Sequence, residues 1–370
     1  NEVVLFRHEK TFYHPPGLFI RIRDDFPEAD IDNLVRQIED YQVNYVGIDL
    51  VVDGFALEAS SKDADIFTGA VSRVRAISKK PLILISQDPA LLAAGLQALD
   101  GEAPMICAAN ETNWEPMAEL AKNRGVPLAV SADSLEALAG LVEKISSLGI
   151  EDLVLDPGAV ELGSNLTVST QIRRLALKSN FRPLGYPIIT FPGSTGSLVR
   201  ESLAAAQAIV KYAGFIVLDS CDPELLYALL VLRQNIYTDP QKPIQVQPGL
   251  YEINNPGPDD PLLATTNFSI TYFSVANEVE GSGQPAWLLV CDAEGMSVLT
   301  AWAAGKFDAE RIAKDVKEFG VTEKVAARRI ILPGHVAVLS GEVEEELPGW
   351  EVRVGPREAV DLPAFMKEAL

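Results

Sequence analysis

Cysteine is scarce. The three residues Cys107, Cys221 and Cys291, in a chain of 370, are too scattered for a disulfide framework and offer no close pair of the kind that zinc or an iron-sulfur cluster uses. That usage fits a reducing, cytoplasmic environment. Histidine is equally sparse: only His8, His14 and His335 occur, and neither HExxH nor GxSxG is present, so metallohydrolase and serine-hydrolase chemistry lack raw material. Bases are outnumbered, 31 Lys and Arg against 52 Asp and Glu. The resulting charge of -21, with no basic run to offset it, argues against nucleic acid or an anionic membrane as partner. No apolar stretch approaches the roughly 18 residues of a membrane span. The opening NEVVLFRHEKTFYHPPG does not read as a signal peptide, and its lack of an initiator Met reads as a trimmed or partial start.

What is present is the mixture of a folded globular protein, 48% hydrophobic and 22% charged, long enough for two or three domains. From Leu18 to about Asn235 one unit repeats: a short apolar run, a polar turn, then an amphipathic stretch of helical period. Eight such runs stand at residues 18–23, 45–52, 81–87, 105–110, 127–131, 152–156, 187–192 and 214–220. Helix-like stretches alternate with them, which predicts an α/β fold built on a TIM-type (β/α)8 barrel with its lead-in over residues 1–238. Chemistry in such barrels sits where strands end, here Asp24, Asp49, Asp53, Gln87, Asn110, Asp133, Asp156, Asp219 and Ser220. Acids dominate, so a pair could act as acid and base, or the same residues could simply cap the helices that follow. Residues 191–196, FPGSTG, resemble a phosphate-cradling turn and equally an ordinary helix start.

Residues 239–261 are dense in proline and glycine and read as a linker. Beyond it, residues 262–370 read as a small open α/β, Rossmann-like domain, with strands at 265–275, 286–291, 329–332 and 350–354. Ligands of open α/β sheets bind outside the carboxyl ends of the strands, here residues 292–300, 333–341 and 355–359. Gly295, Gly334, Gly341 and Gly355 would allow close backbone approach there. Neither GxGxxG nor GxxxxGK[ST] occurs, which excludes the usual nucleotide loops. A broad, flat, largely apolar ligand with an amide rim would suit these loops, helped by hydroxyls such as Thr266, Ser297 and Thr300; tight helix-on-sheet packing would suit them too.

The runs GLYEINNPGPDDPLLATTNFSITYFSVANEVEG, CDAEGMSVLTAWAAGKF, ILPGHVAVLSGEVEEELPGWEVRVGP and REAVDLPAF, with RHEKTFYHPPG ahead of the barrel, resemble the large subunit of the corrinoid iron-sulfur protein of the anaerobic acetyl-CoA pathway. The resemblance covers essentially the whole chain. It implies three parts: an N-terminal domain carrying a 4Fe-4S cluster on four clustered cysteines, a TIM barrel, and a C-terminal corrinoid-binding domain. Three dispersed cysteines cannot hold that cluster, so it is expected only in a preceding domain outside this sequence.

The implied cofactor is a cobalamin-type corrinoid held base-off and without an axial histidine, in keeping with the absence here of the D-x-H-x-x-G pattern. Lack of a strong axial donor favours four-coordinate Co(I), the methyl-accepting nucleophile. Carried over on GMSVLTAW, Thr300 would face the cobalt from below while Met296, Ser297, Val298 and Leu299 line the ring edge, beside Gly295. Thr266, Asn267 and Tyr272, on the preceding strand, would touch the ring or its amides, with Gly355 to Ala359 as a further contact. The function implied is that of a methyl carrier, more than an enzyme in its own right. Co(I) would accept a methyl group from methyltetrahydrofolate or a related pterin on a separate methyltransferase, and methyl-Co(III) would donate it to acetyl-CoA synthase/carbon monoxide dehydrogenase. A barrel-shaped small subunit would complete a heterodimer. Two rivals stand beside this reading: a barrel that is itself a pterin-dependent methyltransferase, with Asn110 and Asp156 on the pterin, and a structural docking scaffold.

Overall fold

The computed structural model describes all residues except 1–3, 8, 11, 46, 239–243 and 370. It comprises two compact units, residues 1–45 with 49–237 and residues 46–48 with 238–370.

In the first unit strands and helices alternate as β1 (Gly17–Arg23), α1 (Glu28–Asp40), β2 (Gln42–Tyr45), β3 (Ile48–Val51), β4 (Gly54–Glu58), α2 (Ala64–Ile77), β5 (Leu82–Ile85), α3 (Pro89–Ala98) and β6 (Met105–Ala109). The series continues with α4 (Trp114–Arg124), β7 (Leu128–Ser131), α5 (Leu135–Ser146), β8 (Leu153–Asp156), α6 (Leu162–Lys178), β9 (Ile188–Thr190), α7 (Leu198–Val210), β10 (Ala213–Leu218) and α8 (Pro223–Tyr237). Eight parallel strands close in the order β1-β10-β9-β8-β7-β6-β5-β4, the barrel that the eight apolar runs predicted. Its interior is solid, filled by Phe19, Ala56, Ile83, Met105, Cys107, Ala129, Val154, Ile189 and Val217.

One barrel strand departs from the expectation. Residues 45–52 do not enter the barrel; β2 and β3 form a separate two-stranded sheet, and the second barrel position is taken by β4, GFALE. Gly54 makes that possible. A Cβ at this position would lie 2.2 Å from the Pro81 carbonyl and 2.7 Å from the Phe19 ring, so only glycine lets the strand slip in beside β1.

The second unit runs β11 (Gly249–Ile253), β12 (Leu262–Thr266), α9 (Ser269–Ser282), β13 (Ala286–Cys291), α10 (Val298–Ala303), α11 (Ala309–Glu318), α12 (Val321–Lys324), β14 (Arg329–Leu332), α13 (Ser340–Glu346), β15 (Glu351–Val354) and α14 (Leu362–Ala369). The sheet order is β11-β13-β12-β14-β15, parallel throughout except for β11, which pairs antiparallel with β13. Successive residues serve opposite faces. Leu262, Ala264, Leu289, Cys291, Ile330 and Leu332 pack with residues of α10, α11 and α13, whereas Leu263, Leu288, Val290 and Ile331 pack with α9 and α14.

Two expectations are corrected here. Residues 239–243 of the expected linker lie outside the described residues, but Gly249–Ile253, also within it, is the edge strand β11. Residues 265–275 are not one strand: β12 stops at Thr266 and α9 begins at Ser269, so Tyr272 sits on a helix. Tyr272, Val275, Ala276 and Val279, spaced as one helical face, all pack into the core on that side of the sheet. Burial of this stripe outweighs the β preference of the TYF segment.

Candidate functional site

Chain order and spatial order disagree at one place in the second unit. From β12 the chain passes through α9 to β13 on one side, then crosses back to β14 on the other. The carboxyl ends of β12 and β14 therefore flank a topological switch point, where open α/β sheets leave a crevice. A cavity of about 290 Å³ opens there. Its walls come from β12 (Thr265), the start of α9 (Ile270, Thr271, Ser274), the start of α10 (Ser297, Val298, Leu299) and the loops after β14 and β15 (His335, Gly355, Arg357, Ala359). Two lining residues are large, apolar and strongly exposed, Ile270 at 61% and Leu299 at 46%. Apolar side chains held in water at a crevice mouth mark a surface suited to a ligand or partner.

Polar groups also gather near the end of β12 and at the cavity wall. The hydroxyls of Thr265, Thr266 and Ser269 are buried and without a hydrogen-bond partner, an uncommon state for buried hydroxyls. Thr265 lines the cavity itself. His335 Nε2 is 3.8 Å from Glu358 Oε1, and the Arg357 guanidinium, also at the cavity wall, pairs with no described residue. Above the mouth, Ser297 Oγ and Thr300 Oγ1 lie 3.1 Å apart on the first turn of α10.

The residues singled out from sequence fall into distinct places. Ser297, Val298, Leu299, Gly355 and Ala359 line the cavity. Thr300 is exposed beside them, and Met296 packs partly into the core beneath. Thr266 is fully buried at the end of β12. Asn267, also buried, spends its amide within the protein: its oxygen accepts from Ala293 and Gly295, and its nitrogen donates to Gln245 and Asp292. Tyr272 stacks between Tyr251 and Phe273 at 5.2 and 4.9 Å, and burial pushes its phenol pKa up. Gly295, at φ +73°, lies against the Gln245 side chain. A Cβ on Gly334 would come within 2.6 Å of the Gly355 carbonyl, so this glycine joins the β14 and β15 ends. Gly341 lies on α13 with open space around it, away from the strand ends. His335 and Arg357 lie within the strand-end segments 333–341 and 355–359 expected to meet a ligand, though neither was singled out; sequence reasoning passed over Thr265 and Ile270, and the doubled threonine closing an apolar strand was the available signal for the first.

At the barrel mouth the strand-end acids are occupied. Asp24 accepts from Ser61, Asp222 caps α8 at Leu225, and Ser134 caps α5, whereas Asp53, expected at a strand's carboxyl end, instead precedes β4 and accepts from Leu18 N at the start of β1, the opposite end of the barrel. Asp219 takes Arg21 and Arg23. A Cβ on Gly193 would lie 2.4 Å from Asp219 Cγ, so the FPGSTG turn abuts a carboxylate and is a poor phosphate cradle. Among the described residues no group of three or more His, Cys, Asp or Glu side chains is placed to hold a metal ion, and no helix is long and apolar enough to cross a membrane.

Comparison with known proteins agrees over the full length. The family described as CO dehydrogenase/acetyl-CoA synthase delta subunit matches residues 1–366. The corrinoid/iron-sulfur protein large subunit of Moorella thermoacetica is 43% identical over 370 residues, all of this chain and 82% of its own length. The acetyl-CoA decarbonylase/synthase complex subunit gamma of Archaeoglobus fulgidus is 35% identical, covering 99% of this chain and 80% of its own. Among solved structures, dihydropteroate synthase from Thermus thermophilus overlaps 60% of this chain and 95% of its own at 16% identity, with a TM-score of 0.43. The chain thus belongs to the CO dehydrogenase/acetyl-CoA synthase delta-subunit family, alongside the large subunits of corrinoid/iron-sulfur proteins.

Proposed function

We propose that the second unit holds a corrinoid over the switch-point crevice and that the protein carries methyl groups between partner proteins of the acetyl-CoA pathway. The observation that carries this reading is the apolar-mouthed cavity with the buried, unpartnered Thr265 hydroxyl in its wall. An unsatisfied buried hydroxyl costs about 1–3 kcal/mol unless a ligand or water supplies its partner. A corrinoid offers the matching chemistry, a wide apolar macrocycle edged with amides. When bound, it supplies a cobalt that takes up a methyl group from one protein and releases it to another.

The chain's own residues do the holding. Leu299 and Ile270 would present apolar surface to a bound macrocycle, and Ser297 and Thr300 would offer it hydroxyls without the strong donor an imidazole would bring. A cofactor held base-off must house its displaced base and phosphodiester elsewhere. The cavity suits them: hydroxyls of Thr265, Thr271 and Ser274 would meet the base, and the His335 ring and the Arg357 guanidinium would face the phosphate. In a chain of charge -21 an unpaired guanidinium at a cavity wall favours an anionic ligand group. The barrel serves as scaffold and docking body for a small subunit, the methyltransferase and the acetyl-CoA synthase.

The test is an anaerobic titration of the full chain, with and without its small subunit, using cobalamin. A dissociation constant in the micromolar range or below, with the absorbance of a base-off corrinoid, is the expected result. Absence of binding in both preparations would overturn the reading.

A further inference from the structure

The loop that carries Ser297 and Thr300 does not hold its own shape. Residues 292–295 leave β13 through two consecutive left-handed positions, Glu294 at φ +54° and Gly295 at φ +73°. The former is costly for a residue with a Cβ. Such a turn persists only where its surroundings over-determine it. Six contacts do so. Asn267 Oδ1 accepts from the backbone N–H of Ala293 at 2.9 Å and of Gly295 at 3.0 Å, and Asn267 Nδ2 donates to Asp292 Oδ1 at 3.3 Å. Asp292 Oδ1 also accepts from Glu294 N, while the buried Asp315 of α11 accepts from Asp292 N. Lys306 pairs with Glu294 at 2.6 Å.

Asn267, directly after β12, reaches the middle of the turn from the end of the sheet. Its backbone N–H donates to the Cys291 carbonyl and its carbonyl accepts from Val246, so its position is fixed by strand pairing before its side chain acts. We infer that Asn267 is a positioning residue: its side chain transfers the fixed geometry of β12 to the loop before α10, and thereby sets the hydroxyl pair that meets the corrinoid. This rests on the reading above, which placed Ser297 and Thr300 against the ligand. It departs from the direct ring contact expected for Asn267, because every polar atom of its amide is already engaged.

The inference makes a specific demand on polarity. Asn267→Asp keeps both acceptor bonds but sets a carboxylate against Asp292. Adding Asp292→Asn exchanges donor and acceptor between the two positions at unchanged net charge and restores the bond between them, at the cost of the acceptor that Asp292 Oδ1 gives to Glu294 N. Three measurements on the full chain test this: cobalamin affinity by anaerobic absorbance titration, amide hydrogen exchange of residues 292–300 without cofactor, and thermal unfolding. Asn267→Ala should weaken cobalamin binding about thirtyfold, the loss of two backbone-directed hydrogen bonds at roughly fivefold each or slightly more. It should also speed exchange at 293–297 while β13 and β14 keep their protection. Asn267→Asp should weaken binding and loosen the same amides, and the double variant should recover at least about threefold of the lost affinity and part of the lost protection, tenfold being ~1.4 kcal/mol.

Cobalamin affinity and loop exchange unchanged in Asn267→Ala and Asn267→Asp would overturn the inference. So would a double variant no better than Asn267→Asp. Should Asn267→Ala fail to fold, the near-isosteric Asn267→Asp and its rescue decide alone. Should wild type fail to bind cobalamin, the proposed function falls, while loop exchange in the cofactor-free variants still tests the positioning role.

Discussion

Arg21 and Asp219 meet side by side at the seam where β1 joins β10: Arg21 Nε is 2.5 Å from Asp219 Oδ1 and its Nη2 is 2.7 Å from Oδ2. Arg23 adds a bond to the same carboxylate at 3.2 Å, Glu58 on β4 lies 3.5 Å from both arginines, and Glu201 accepts the N–H groups of Asp219 and Ser220. With Arg21 only 10% exposed, this pair is worth more than a surface ion pair and less than a fully buried one. Arg21→Ala should therefore lower barrel stability by about 2 kcal/mol, because Asp219 and Glu58 lose their principal cation. Urea unfolding followed by tryptophan fluorescence measures it. A change under ~0.5 kcal/mol would remove the seam from any account of barrel stability.

The same locking predicts a mouth without acid or base chemistry. Asp156, on β8, accepts from Gly158 N and Ser131, and burial raises its carboxyl pKa above the ordinary range. A raised folded pKa means that the neutral form suits the fold. Stability from this group is complete below the unfolded aspartate value, about 3.9, and is lost as pH rises through the folded value. Asp156→Asn should therefore be more stable than wild type at pH 7, with the advantage shrinking as pH falls toward 4. Methyl-transfer rate should stay within a few-fold. A loss of two orders of magnitude, typical of a removed general acid or base, would assign the barrel a chemical role.

The barrel was legible in the sequence because each strand is a short apolar run closed by a polar turn. The failures have physical causes. In residues 45–52 the excursion β2–β3 uses the same β-branched residues as a buried strand, while the true strand β4 hides behind Gly54, a residue chosen for closeness to Phe19 and Pro81. In α9, Ile270, Thr271, Tyr272 and Phe273 favour a strand locally, and only the spacing of Tyr272, Val275, Ala276 and Val279 betrays the helix. The loop at 295–300 was singled out through family resemblance, and Arg357 only as part of the segment 355–359. Thr265 was not singled out, because an orphaned hydroxyl is defined by what surrounds it in three dimensions.

Arg357 offers a test of which part of the ligand the cavity meets. If its guanidinium faces the phosphodiester, Arg357→Ala should weaken cobalamin binding about tenfold, within the range of a charge-assisted hydrogen bond partly exposed to water. Cobinamide, which lacks the phosphodiester and base, should bind both proteins alike. Parallel titrations at low and moderate salt measure it. Equal losses for the two corrinoids would move Arg357 away from the phosphate.

Thr300 tests the underside of the ring. It sits on the first turn of α10, exposed, with Oγ1 3.1 Å from Ser297 Oγ. If it faces the cobalt without ligating it, Thr300→His should bring an imidazole into reach and convert the site toward an axially ligated one. An added donor stabilises the oxidised metal, so the Co(II)/Co(I) potential should fall, about 60 mV for each tenfold change in this one-electron equilibrium. Reductive activation would fail before methyl transfer does. Thr300→Ala removes only a weak polar contact of about 1 kcal/mol and should leave the potential nearly unchanged. Anaerobic redox titration of both variants, with electron spin resonance watching for nitrogen splitting on Co(II), separates the outcomes. A histidine variant with neither nitrogen splitting nor a lowered potential would place the first turn of α10 away from the metal, since an imidazole on a correctly placed turn could not avoid the open coordination position.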